Sequence, residues 1–158
     1  MTQVRLREMR EADIPIIFEH RKEPAGAELA SMAVKQEANR DAFFAHWRGL
    51  IAKEEVVTQI IESAGEIAGH LMCFELEGRR EVGYWLGEEH WGKGVLSAAL
   101  PLFIAGLPWR PLYAVTSKHN APSLRVLEKV GFIWHEDLTR FDKHLARTKV
   151  DCLMRLDG

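Results

Sequence analysis

The chain has 158 residues and a mass of 18.0 kDa, and 47% of its residues are apolar, enough to build a core in one domain spanning residues 1–158. Lys and Arg number 21 against 23 Asp and Glu, a net charge of −2 with a pI near 6.4, so no basic field exists to hold nucleic acid or an anionic membrane surface. The longest uncharged run, Gly94 to Trp109, is 16 residues interrupted by Pro101, Gly106 and Pro108, which is too short and too broken for a membrane span.

The predicted elements run in the order βααβββαβαββ. "VRLREM" (4–9) alternates as a strand does, and "READIPIIFEHRK" (10–22) follows as a helix with Asp13 placed as its cap ahead of Pro15. Residues 23–36 are irregular and rich in small side chains, a loop or short helix. "NRDAFFAHWRGLIAKE" (39–54) carries Phe43, Phe44, Trp47, Leu50 and Ile51 at helical spacing. Three strand-like runs follow, at 56–63, 65–78 and 80–87, joined by turns at Ala64-Gly65 and Gly78 in an antiparallel meander. A helix begins at Val95, and Pro101 inside it predicts a bend or widened turn from Ser97 onward, because proline cannot donate to the Ser97 carbonyl. "RPLYAVTS" (110–117) reads as a strand, and "APSLRVLEKVG" (121–131) as a helix closed by a glycine C-cap. "FIWHE" (132–136) and "KVDCLMRL" (149–156) are the last strands, with the charged stretch at 140–149 as a solvated hairpin loop. The fold class is α/β of the α+β type: a mixed, mostly antiparallel sheet with helices on both faces.

Cys73 and Cys152 lie far apart, and "MTQVRLREMR" carries no secretory start, so both cysteines are expected to be reduced, buried thiols in a cytoplasmic protein. The seven histidines show no HExxH or paired spacing, which predicts no metal site. No GxSxG elbow is present for a serine hydrolase. Trp47, Trp85, Trp109 and Trp134 are expected in the core or in pocket walls.

"EEHWGKGVLSAAL" (88–100) puts two glycines around a lysine directly before the most apolar helix of the chain. A strand that enters a glycine turn and then a helix leaves the first N–H groups of that helix unpaired, at the positive end of its dipole. Such an end can cradle an anion, and glycines let a phosphate approach the backbone. The plain alternative is a tight turn before a core helix. Neither GxxxxGK[ST] nor GxGxxG is present.

The second informative block is "HNAPSLRVLEKVGF" (119–132). With "GYW…WGKG" before it, the chain resembles the GNAT superfamily of acyl-CoA-dependent N-acetyltransferases, in the branch containing the ribosomal-protein N-terminal acetyltransferases. The resemblance is strongest from 80 to 132 and weak before residue 56, and the element order agrees with that GNAT-like fold. It implies acetyl-CoA as co-substrate, no metal, an amine acceptor that is a small molecule or a peptide N-terminus, and a monomer or homodimer.

Carried over residue by residue, the superfamily's pyrophosphate signature falls on Trp91, Gly92, Lys93, Gly94, Val95 and Leu96, with Ser97 following. Leu96 departs from the usual small residue and either crowds the phosphates or faces the core. The backbone of Tyr84, Trp85 and Leu86 is implied to pair with the pantetheine arm as an added strand. Asn120 is implied to hold the pantetheine, and Ser123 to protonate the departing thiolate, against the alternative of a helix residue satisfying a backbone amide. The tyrosine that many relatives place seven residues after the asparagine is Leu127 here. The glutamate that some place on the strand after the signature helix is Val115. Glu81 remains as candidate general base, unless it is a solvated charge at a strand edge, and Tyr84 is a candidate to order a water chain. An acetyltransferase is the leading reading; the alternatives are a catalytically silent acyl-CoA-binding module and a purely structural domain.

Overall fold

A computed structural model of the chain describes residues 3–22, 39–142 and 146–158. The expected loop or short helix at 23–36 lies outside them. Seven strands form one sheet: β1 (Val4–Glu8), β2 (Val57–Ser63), β3 (Glu66–Leu76), β4 (Arg79–Leu86), β5 (Leu112–Ser117), β6 (Ile133–Asp142) and β7 (Arg147–Leu156). Their spatial order is β1-β2-β3-β4-β5-β7-β6. The β4–β5 pair is parallel and all the others are antiparallel. The helices are α1 (Ile14–Arg21), α2 (Arg40–Ala52), α3 (Val95–Ala105) and α4 (Ala121–Val130). None of the helices among the described residues is long and apolar enough to cross a membrane.

Strand alternation explains why both faces are covered. Ile60 and Ile61 are adjacent and fully buried, yet Ile60 packs with Ile14, Ile17, Phe43 and Trp47 of α1 and α2, whereas Ile61 packs with Val95, Ala99, Leu100 and Leu127 of α3 and α4. A strand buried on both sides has two apolar faces, and each needs its own helical layer.

Local signals mark several ends. The Asn39 side-chain oxygen caps α2 by accepting from the Ala42 N–H at 3.1 Å. Gly131 closes α4 at φ 114°, and a Cβ there would lie 3.2 Å from Leu156 Cδ1. Three details depart from expectation. α3 stays α-helical from Val95 through Pro101 to Ala105, so of the expected bend or widened turn the widened turn does not form. Pro101 and Ser97 are exposed, so water can reach the carbonyl that proline leaves without a donor, while Val95, Ala99, Leu100 and Phe103 hold the buried side. Second, β6 and β7 extend well into the charged stretch taken for a loop, pairing out to Asp142–Arg147. Third, Trp134 on β6 is 60% exposed, with its indole N–H on Asp137 Oδ1, rather than in a core or pocket wall. Exposed edge strands show no hydrophobic alternation, and only their backbone pairing reveals them.

Asp13 precedes α1 as expected, but its carboxylate makes no forward cap. It turns back, accepting from the Arg10 N–H at 2.8 Å and from two Arg7 nitrogens at 2.8 and 2.9 Å, while Arg7 Nε also reaches Glu62 at 3.0 Å. Burial by itself raises the Asp13 pKa, but the bonds from Arg7 and Arg10 outweigh it and hold it below the usual 3.8. A carboxylate with a lowered folded-state pKa stabilises the fold above its unfolded value, and that stability is lost as pH falls through the folded one. Asp13→Asn should therefore cost about 1–3 kcal/mol at neutral pH. In urea melts the gap from the parent should shrink in acid, below the usual 3.8; an equal gap at both pH values would refute the ion-pair account.

Candidate active site

β4 and β5 are in register at only two places, Arg80 with Leu112 and Glu81 with Tyr113. Beyond them the parallel strands part, so β4 from Val82 to Leu86 and β5 from Ala114 to Ser117 each present one backbone edge not paired to the other strand. A cleft of about 500 Å³ opens there and is lined from both sheet faces. Val82, Tyr84 and Leu86 belong to the face covered by α3 and α4. Glu81, Gly83 and Trp85 alternate to the other face, where Gly83 pairs with Met72 of the α1–α2 cluster.

At one end of the cleft, residues 91–94 turn and α3 begins. Gly92 and Gly94 sit at φ 72° and 75°, the left-handed region that glycine enters without strain. A Cβ on Gly92 would meet nothing within 4 Å, so its value is conformational and the space before it is open. Gly94 is the N-cap of α3, and no side chain caps this end. The first N–H groups of the helix, at Val95, Leu96 and Ser97, therefore have no intrahelical acceptor. Leu96 is half-buried, packs against the core and also borders the cleft. Trp91 anchors the turn: its indole N–H donates to the Leu86 carbonyl at 3.1 Å. That bond occupies one acceptor of the backbone expected to receive an added strand. Lys93 is exposed.

At the opening of the strands three hydroxyls meet. Tyr84 Oη lies 2.5 Å from Ser123 Oγ, and Thr116 Oγ1 donates to the same Ser123 oxygen at 2.9 Å. Asn120 caps α4 by accepting the Ser123 N–H at 3.3 Å, which uses the amide oxygen and leaves its NH₂ outside the cap. The Ser123 hydroxyl therefore serves other side chains, and the helix cap belongs to Asn120. Burial is the larger influence on Tyr84 and pushes its pKa up to about 12 against the Ser123 hydrogen bond, so it is a neutral phenol across the physiological range. Thr116 carried a weak signal in sequence, as an inward-facing hydroxyl two residues beyond Ala114 on an otherwise apolar strand face.

Leu127 is fully buried in the core, and Val115 lines the cleft. Glu81 is 5% exposed and sits between β3 and β5, so it is no solvated edge charge; its carboxylate meets Arg79 at 3.2 Å. On the same face, the Arg21 guanidinium lies 4.5 Å over the Trp85 ring. Neighbouring His70 is held neutral, first by burial and then by the charges of Arg21 and His20, which push its pKa well below 6.5. Sequence reasoning singled out neither Arg21 nor His70, because their approach to the cleft depends on how α1 crosses β3 and β4. Cys73 and Cys152 are buried, unpaired thiols, both with pKa raised by burial.

Residues 3–133 match the family model described as the acetyltransferase (GNAT) domain. The N-acetyltransferase p20 of Bacillus licheniformis, itself uncharacterised, is 32% identical over 95 residues, covering 56% of this chain and 53% of that protein, so the match spans about half of the relative's length. Among solved structures, the ribosomal L7/L12 α-N-protein acetyltransferase RimL, in complex with coenzyme A, superposes with a TM-score of 0.84 at 18% identity, covering 99% of this chain and 95% of its own. The spermidine N-acetyltransferase of Vibrio cholerae, in complex with CoA and spermine, gives 0.82 at 16% identity, with 98% and 95% covered. At such identities the two structures establish the shared fold, and the family model establishes the membership: this chain belongs to the GNAT acetyltransferase domain family.

Proposed function

We propose that the chain is an acetyl-CoA-dependent N-acetyltransferase that moves an acetyl group to a primary amine. The observation that carries this reading is the meeting, in one cleft, of an uncapped helix start behind two left-handed glycines with the Tyr84–Ser123–Thr116 hydroxyl cluster. The residues present suit acetyl-CoA. N–H groups at the start of α3 offer donors to its pyrophosphate, the parted β4 edge offers backbone partners to its pantetheine, and the Asn120 NH₂ lies at the mouth of α4. When bound, it supplies the activated thioester.

The hydroxyl cluster has an inherent proton to give. Thr116 spends its hydrogen on Ser123, and the Ser123–Tyr84 contact uses one hydrogen of two. One O–H of that pair always remains to be donated into the cleft. Ser123 and Tyr84 thus form a donor for a departing thiolate, in the place of the tyrosine that Leu127 replaces. Tyr84, as a neutral phenol, belongs on this acid side rather than with the base. Glu81, buried against Arg79, is the carboxylate available to the amine side, directly or through water.

Glu81 is the one carboxylate assigned to the amine side and it is engaged by Arg79, so the reading is best matched to acceptors that are partly neutral on their own. A lysine-type amine near pKa ~10.4 is neutral to under about 0.1% at pH 7, whereas an α-amine near ~7.7–8.0 is neutral to about 10–20%. Alpha-amines or other amines of low pKa should accordingly show a higher kcat/KM at neutral pH than matched lysine-like acceptors, with the gap closing in alkali. A lysine-like acceptor that wins at neutral pH would point to a stronger base, and Glu81→Gln would be the first variant to examine. Release of free thiol in this assay also separates an enzyme from a silent acyl-CoA-binding module, which would show only a thermal shift with the ligand.

A further inference from the structure

Away from the hydroxyl cluster, Glu66 opens β3 while Glu89 and His90 lie in a short 3-10 turn, Glu88–His90, between β4 and the glycine loop. His90 Nε2 stands 3.5 Å from Glu89 Oε1 and 3.6 Å from Glu66 Oε2, and one ligand atom from each of the three residues lies within 4.8 Å of the others. The His90 side chain is only 7% exposed, and its Nε2 has no hydrogen-bond partner. A buried polar nitrogen without a partner is uncommon and costs free energy.

The distances separate two accounts of this cluster. A protonated imidazole beside carboxylates closes to about 2.7–2.9 Å in a charge-assisted hydrogen bond. A cation about 2.0–2.1 Å from nitrogen and about 2.0–2.2 Å from oxygen instead holds the two ligand atoms about 3.4 Å apart at a tetrahedral angle. The observed separations match the second spacing and exceed the first. We infer that His90, Glu66 and Glu89 form a binding site for a divalent cation of the zinc type. One imidazole with two carboxylates favours such a borderline ion over magnesium, which prefers oxygen ligands throughout. The two glutamates are mostly exposed, so they can swing to complete the site, with water in the remaining positions. Histidine spacing gave no hint of it, because the third ligand comes from a strand that starts well before the turn. Since His90 directly precedes Trp91 and Gly92, an ion there braces the glycine loop against the start of β3.

The test is calorimetric titration of the chelator-stripped chain with Zn²⁺ in excess Mg²⁺, beside Glu66→Gln, Glu89→Gln and His90→Gln. The glutamine variants of the two exposed glutamates should stay folded, as circular dichroism will report. The expected result is uptake of about one equivalent, weakened about tenfold or more by each substitution. Absence of Zn²⁺ uptake by the parent would overturn the site. So would uptake that survives all three substitutions, which would place the ion elsewhere, or uptake indifferent to His90→Gln, which would reduce the cluster to an acidic pair.

Discussion

Gly94→Asp is expected to lower acetyl-CoA affinity about 100-fold or more, ~2.7 kcal/mol, while the unliganded protein melts close to the parent. Gly94 is the N-cap of α3 at φ 75°, and aspartate is among the few side chains that enter the left-handed region readily. Its carboxylate also complements the positive end of the helix, which offsets part of the strain. The helix should therefore survive. What changes is the occupant of the donor field, because a fixed negative charge then stands where the pyrophosphate is proposed to meet the first N–H groups of α3. Calorimetry with acetyl-CoA and a ligand-free melt distinguish this from misfolding. Unaltered affinity in a folded variant would return the two glycines to a plain turn before a core helix.

Ser123→Ala should reduce kcat about 100-fold and leave the KM for acetyl-CoA within about threefold, because donation to a leaving thiolate acts only along the reaction. The substitution takes away the shared centre of the hydroxyl cluster and leaves Thr116 and Tyr84 without their common partner. Tyr84→Phe should cost less, since Ser123 would keep its own hydrogen and the bond from Thr116. The double variant should fall no further than Ser123→Ala alone, as happens when two residues act as one unit. Additive losses would mean that Tyr84 and Ser123 act separately. A Ser123→Ala enzyme with parental kcat would leave that hydroxyl with a packing role.

Most of the fold was legible because it is written in local chemistry. Strand alternation, helical apolar spacing and the Gly131 C-cap each depend on neighbours within a few residues, so they read correctly without a structure. The glycine loop was legible for the same reason: a left-handed turn before a helix needs glycine whatever surrounds it. Tertiary structure decided what depends on residues distant in the chain. The paired exposed strands beyond Glu136 have no hydrophobic signature, and backbone pairing alone extends them. Glu81 looks like an edge charge until β5 docks beside β4 and buries it against Arg79. Tyr84, Thr116 and Ser123 come from two strands and a helix, and they share hydrogen bonds only because β4 and β5 part after two pairs and α4 covers the opening. Sequence thus determined the elements and the glycine loop, where the governing forces are local. Which side chains share a proton, and which charges are buried together, was decided by how the strands diverge.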